Sequence, residues 1–136
     1  MKFRIASGLV KELHLLAADG APDEVCGLLL GIGDEILELR PARNVAADPR
    51  RRFEIEPAVL LATHREARGR GLAVIGHYHS HPQGSALPSK RDAARALENG
   101  QLWLIIAGTD LQAWQAVSGQ PDALHGRFLP MKLEVH

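Results

Sequence analysis

The stretch from Gly76 to Asp92 constrains this chain more than any other, because it gathers three of the seven histidines, a serine and a carboxylate into one strand-loop-helix pattern. Leu72 to His79 reads as an apolar strand. Side chains on a strand alternate between faces, so His77, His79 and His81 share one face if the extended backbone reaches that far. Pro82 to Pro88 contains prolines and a glycine that discourage both helix and ladder, and Ser89 to Glu98, ended by Asn99-Gly100, reads as a helix. Two imidazoles at i and i+2 with a carboxylate from the next element make three ligands. A catalytic zinc takes that number and keeps a fourth position for water, whereas a structural zinc closes all four, usually with thiolates. One cysteine in the chain excludes a thiolate-closed site.

Each residue alone has a plainer reading. A single histidine near a strand end is more often a satisfied polar group than a ligand. Ser89-x-x-Asp92 is also a helix capping box, in which the serine hydroxyl accepts from the Asp92 N–H and the carboxylate accepts from the Ser89 N–H. The combination points to a metal, because a cap requires no histidine run upstream and a histidine run requires no acidic cap downstream.

Gly76-x-Tyr78-His79-Ser80-His81-Pro82, followed by Pro88-Ser89-x-x-Asp92, resembles the signature of the JAMM metallopeptidases, the catalytic branch of the MPN domain. Upstream, Pro22-x-Glu24-x-Cys26-Gly27-Leu28-Leu29-x-Gly31 resembles that family's glutamate-bearing strand, and Asn44 and Phe53-x-Ile55 stand where the family has an asparagine and an F-x-I strand. The resemblance runs from about Pro22 to Asp92. In its pattern the histidine pair is followed by proline, with serine and aspartate 8 and 11 residues after the second histidine. Counting from His81 reaches Ser89 and Asp92; counting from His79 reaches Leu87 and Lys90, which can do neither job.

The resemblance therefore implies His79, His81 and Asp92 as ligands of one Zn2+ per chain, Glu24 as general base and Ser89 as oxyanion donor. Glu35, Glu38, Glu54 and Glu56 are equally available by composition, and only the family pattern selects Glu24. His77 stands where the family more often has tryptophan, and either packs or faces substrate. The implied activity is zinc-dependent hydrolysis of amide bonds at the C-terminal glycine of a ubiquitin-like or sulfur-carrier protein with a Gly-Gly tail, including removal of a C-terminal residue or adduct. Two rival readings are a non-catalytic MPN scaffold that binds partners and a zinc hydrolase of a small-molecule amide. A nucleobase deaminase is set aside, since its P-C-x-x-C run is missing.

At 136 residues the chain reads as one domain, residues 1–136, able to bury roughly two-thirds of its unfolded surface. Sixteen basic and sixteen acidic residues balance, which argues against broad attraction to nucleic acid or anionic membranes. Arg50-Arg51-Arg52 is a local basic concentration, either a solvated loop or a docking patch for an acidic partner. A lone cysteine, no signal-like N-terminus and no long apolar run lead to the expectation of a cytoplasmic protein, with Cys26 a small packing residue near the site. Nothing in the residues specifies an oligomeric state.

The remaining elements are predicted as a strand at Lys2 to Ile5, a helix from Ser7 to Ala18 with Ser7 as N-cap and Gly20 as terminator, and a hairpin of Val25–Ile32 with Ile36–Leu39 around Gly33-Asp34. Phe53 to Ile55 reads as a short strand, and Pro57 to Arg68 as a helix opened by proline. Leu102–Ala107 and Gln112–Val117 read as strands, and Arg127–Val135 as an edge strand broken by Pro130. The expected fold class is α/β, a mixed and mainly antiparallel sheet flanked by helices. The resemblance implies the same MPN/JAMM fold, with cytidine-deaminase-like layering.

Overall fold

The central strand pair that carries the site is hydrophobic on both faces, as a strand covered on both sides must be. β2 (Cys26–Ile32) is buried from Cys26 through Gly31, and β4 (Ala73–Ser80) lies antiparallel beside it, with Cys26 opposite His79 and Leu28 opposite His77. The computed structural model describes residues 2–96 and 100–136. Around this pair the other strands are β1 (Lys2–Ile5), β3 (Glu35–Ala42), β5 (Leu102–Ala107), β6 (Asp110–Ala116) and β7 (Phe128–Val135). The helices are α1 (Ser7–Gly20), α2 (Pro57–Gly69) and α3 (Lys90–Arg95). β2–β3, β2–β4, β5–β6 and β6–β7 pair antiparallel, while β1–β3, β1–β7 and β4–β5 pair parallel. This is the mixed, mainly antiparallel α/β sheet that the sequence predicts.

Alternation along the strands sorts side chains into two cores. Leu29 and Tyr78 face α1 and pack with Phe3, Ile5, Leu13, Leu104 and Ile106; Leu28 and Leu30 face the opposite way, toward Ala67 of α2. His77 and His79 share that second face with Cys26, Phe53, Trp103 and Ile105. Fully burying a side chain such as Leu13 contributes about 1.5–3 kcal/mol, which locks the sheet to α1 and fixes which face the histidines take. The close approach of β4 to β5 requires Gly76, since a Cβ there would stand 2.0 Å from the Leu102 carbonyl oxygen. Gly33, at φ +60°, makes the β2–β3 turn.

Four expectations need correction. Ser7 is the first residue of α1, not its cap: Ala6 is the N-cap without a side-chain bond, and the Ser7 N–H donates to the His136 carbonyl at 2.8 Å, so His136, just after β7, satisfies the helix start. Phe53–Ile55 forms no strand; a single bridge joins Ile55 to Asn44. β7 is not an edge strand, because it pairs with β6 over residues 128–131 and with β1 over residues 132–135. It changes neighbour just after Pro130, which therefore sits where only β6 flanks it and its missing N–H breaks no ladder bond. α3 ends at Arg95, with Ala96 as C-cap; Leu97, Glu98 and Asn99, expected in and after the last turn, lie outside the described residues.

Candidate metal centre

β4 ends at Ser80, and the His81 N–H donates to the Ile106 carbonyl of β5 at 2.8 Å, which carries the extended backbone one residue further. His79 and His81 are thereby delivered to the same side, with their Nε2 atoms 3.0 Å apart. The loop after them leads into α3, whose Ser89 cap forms both halves of the capping box: Asp92 N donates to Ser89 Oγ at 3.1 Å and Ser89 N donates to Asp92 Oδ2 at 2.9 Å. The same Oδ2 stands 3.4 Å from His79 Nε2 and 3.3 Å from His81 Nε2. The helix cap thus aims one carboxylate oxygen at both imidazoles, so the capping and ligand readings of Asp92 coexist.

The three donor atoms can be tested against a zinc ion. Tetrahedral bonds of about 2.0–2.1 Å place neighbouring ligand atoms about 3.4 Å apart. The observed triangle, with edges of 3.0, 3.3 and 3.4 Å, is close to that spacing, and two imidazole nitrogens with one carboxylate oxygen suit Zn2+. His81 Nδ1 donates to the Ser85 carbonyl at 2.8 Å, which leaves its Nε2 lone pair free to ligate. His79 is fully buried and stacks on Phe53 at 4.3 Å, and its Nδ1 has no hydrogen-bond partner among the described residues.

Glu24 enters from the other side. It precedes β2, is 6% exposed, and brings a carboxylate oxygen within 4.8 Å of the His79 and His81 ligand nitrogens. Its backbone is tied down: Glu24 N donates to the Pro49 carbonyl at 2.7 Å, and Asn44 Nδ2 donates to the Glu24 carbonyl at 2.9 Å. Beside it, Val25 N donates to Ser80 Oγ at 2.8 Å, and Ser80 N donates to the Val25 carbonyl at 3.0 Å. Asn44 also holds the following loop, donating to the Arg52 carbonyl and accepting from Ala46 N and Glu54 N. The sequence places Asn44 in the pattern without a task and gives Ser80 none; a serine within a buried strand is the signal that could have drawn notice to Ser80.

Burial and neighbouring charges set the protonation states of the metal-free site. Burial raises the Glu24 carboxyl to about 7, with His81 pulling it down and Asp92 pushing it up. Burial also disfavours an ionised Asp92, but hydrogen bonds with His79 and His81 dominate and hold its carboxyl well below the usual range. His79 is lowered chiefly by burial; His81 is raised, because its bonds with Asp92 and the Ser85 carbonyl outweigh burial. A protonatable carboxylate and a set of nitrogen and oxygen donors thus converge on one small volume, with the Ser89 cap holding Asp92 in place.

Cys26 is a packing residue, whereas His77 packs on aromatic rings and also lines a groove with Leu60, His64 and Arg95. His77 lies 4.2 Å from the Trp103 ring and 5.5 Å from the Phe53 ring, and burial lowers it to about 3, so it stays neutral. Cys26 is 2% exposed, with its thiol pushed up to about 12 by burial and then by Glu24; such a thiol is inert at neutral pH. No helix among the described residues is long and apolar enough to cross a membrane.

The family model for prokaryotic homologs of the JAB domain matches residues 6–117. A desampylase of Haloferax volcanii is 37% identical over 93 residues, covering 67% of this chain and 67% of that protein. A probable TtuB-protein conjugate cleaving protease of Thermus thermophilus is 34% identical over 121 residues, covering 88% of this chain and 80% of that protein. Among solved structures, a JAB1/MPN domain protein of Archaeoglobus fulgidus shares the fold at a TM-score of 0.66 and 23% identity, over 99% of this chain and 98% of that one.

Proposed function

The chain belongs to the family of prokaryotic homologs of the JAB domain, and we propose that it is a zinc-dependent isopeptidase that releases a ubiquitin-like or sulfur-carrier protein from its conjugates by cleaving after a C-terminal Gly-Gly tail. One observation carries the reading: the convergence of His79 Nε2, His81 Nε2 and Asp92 Oδ2 within 3.0–3.4 Å, beside the buried Glu24 carboxylate. The substrate class is supported by the desampylase and the conjugate-cleaving protease among the relatives. The lone, buried cysteine favours work in a reducing cytosol.

In this reading His79, His81 and Asp92 would hold the zinc, which would supply Lewis acidity and make water a stronger acid at the site. Asp92 contributes negative charge, and its orientation is set before binding by the Ser89 N–H. Glu24 takes a proton from the attacking water onto its carboxylate and returns it to the leaving amine, a transfer typically contributing about 10²–10⁴-fold. A pKa raised to about 7 by burial poises that carboxyl for both halves of the transfer. The Ser89 hydroxyl oxygen already accepts from Asp92 N, and its own hydrogen remains to be donated to the oxyanion developing on the scissile carbonyl. Such a donor is worth about 2.7–4 kcal/mol. Ser89 is not a nucleophile here, since no histidine nitrogen is hydrogen-bonded to it among the described residues.

The test is incubation of zinc-loaded protein with a Gly-Gly-tailed carrier joined to a lysine-containing peptide. Release of the carrier by wild type and not by Glu24→Gln is expected. Zinc-loaded protein that leaves such conjugates intact while hydrolysing small amides would overturn the assigned substrate.

A further inference from the structure

Beside the metal centre, the arginine loop and α3 enclose a groove of about 460 Å³ lined by Ala46, Arg52, Glu54, Arg91 and Arg95, among others. Three guanidiniums face one carboxylate there, in a chain whose charges balance as a whole. Arg91 and Arg95 are one turn apart on the helix that carries Asp92. Arg91 Nη1 donates to the Arg51 carbonyl at 3.3 Å; Arg95 Nη1 donates to the Phe53 carbonyl, and its guanidinium lies 5.2 Å from the Phe53 ring centre. A guanidinium has five N–H donors, so one backbone anchor on each positions the group and leaves the rest for a ligand. Elsewhere on the surface Lys2, Arg4, Arg40 and Arg70 pair with carboxylates. Arg52, Arg91 and Arg95 have no carboxylate within 4.0 Å among the described residues.

We infer that this arginine groove holds an acidic segment of the substrate protein next to the scissile bond, and so sets which conjugates the site accepts; the inference rests on the isopeptidase reading above. Planar guanidiniums bind carboxylates in pairs of parallel hydrogen bonds. The alanines at positions 46 and 94 leave room for a peptide backbone between them. The groove lies beside the site, since Arg91 directly precedes Asp92 on α3 and Arg95 follows one turn later. A nucleic acid is the poorer occupant. It calls for an extended basic track, whereas this patch is short, includes Glu54 and belongs to a chain of zero net charge.

Two Gly-Gly-tailed conjugates test the inference, identical except that the residues flanking the tail are Asp and Glu in one and Asn and Gln in the other. Exposed charge pairs of this kind are worth about two- to fivefold each. Wild type is therefore expected to favour the acidic conjugate in kcat/KM by about four- to twenty-five-fold at low salt, less at 0.5 M NaCl. Arg52→Gln with Arg91→Gln is expected to bring the ratio toward one. Equal rates in wild type, or a double variant that slows both conjugates alike and keeps the ratio, would overturn the inference. If neither conjugate is cleaved, the isopeptidase reading fails separately, and the groove is judged by anisotropy of a labelled Asp/Glu peptide on Glu24→Gln protein. Binding that weakens in the arginine variant supports the inference. No binding, or displacement of the peptide by a lower concentration of a single-stranded DNA 12-mer, refutes it.

Discussion

His79 Nε2 and His81 Nε2 face each other at 3.0 Å, while His81 Nδ1 is committed as a donor to the Ser85 carbonyl. A neutral His81 therefore presents only a lone pair to its neighbour. Either a proton or a cation must sit between the two nitrogens, and the Asp92 oxygen approaching both supplies the negative charge that either one needs. The following expectations come from that arrangement.

In the proposed mechanism Glu24→Gln removes the proton carrier without removing a ligand. Zinc content is expected to stay at the wild-type level while kcat falls by about 10²–10⁴-fold. Metal analysis alongside a cleavage assay checks this, and zinc loss in the variant would count against the assigned role.

The same substitution is expected to stabilise the metal-free protein in a pH-dependent way. The folded-state pKa of Glu24 is raised from 4.5 to about 7, so its contribution to stability is full below pH 4.5 and is lost as pH rises through 7. Gln has no charge to bury, so the variant gains up to about 3 kcal/mol above pH 7 and nothing below 4.5. Urea unfolding with chelator at pH 5 and pH 8 reads the difference, and an equal offset at both pH values would refute it.

Ser89→Ala is expected to cost about 1 kcal/mol of stability, because Asp92 N loses its cap acceptor. It is also expected to slow turnover by about 10²–10³-fold with zinc retained. A variant that melts lower but cleaves at the wild-type rate would leave Ser89 as a cap only.

Asn44→Ala is expected to lower kcat without altering zinc content, because Asn44 ties the Glu24 carbonyl to the Arg52 carbonyl and the Glu54 N–H. The half-buried Glu24 carbonyl loses a partner worth about 1–3 kcal/mol, whereas the Arg52 and Glu54 groups are exposed and turn to water. Chemical unfolding and a kcat measurement on the folded variant separate the two effects.

The candidate ligands lie within one local segment: the strand period puts His77, His79 and His81 on one face and the helix start brings Asp92 near, while the family pattern selected the His79–His81 pair. Glu24 was not legible from residues alone. It reaches the site through the antiparallel register that sets Cys26 opposite His79, a long-range pairing that no spacing encodes, and only the family resemblance selected it. The same reason hid the joining of β1 to β7, with Phe3 opposite Leu133, and the meeting of Arg52 with Arg91 and Arg95 in one groove. Ser7 looked like a helix cap because side-chain type was visible and the distant His136 carbonyl was not.

Zinc stoichiometry by inductively coupled plasma mass spectrometry on tag-free protein, native chain against His81→Ala, tests the central claim most directly. One zinc per chain in the native protein and almost none in the variant is the expected result. Native protein that holds no zinc after zinc addition and dialysis, or a variant that holds as much as the native chain, would contradict a metal centre at His79, His81 and Asp92.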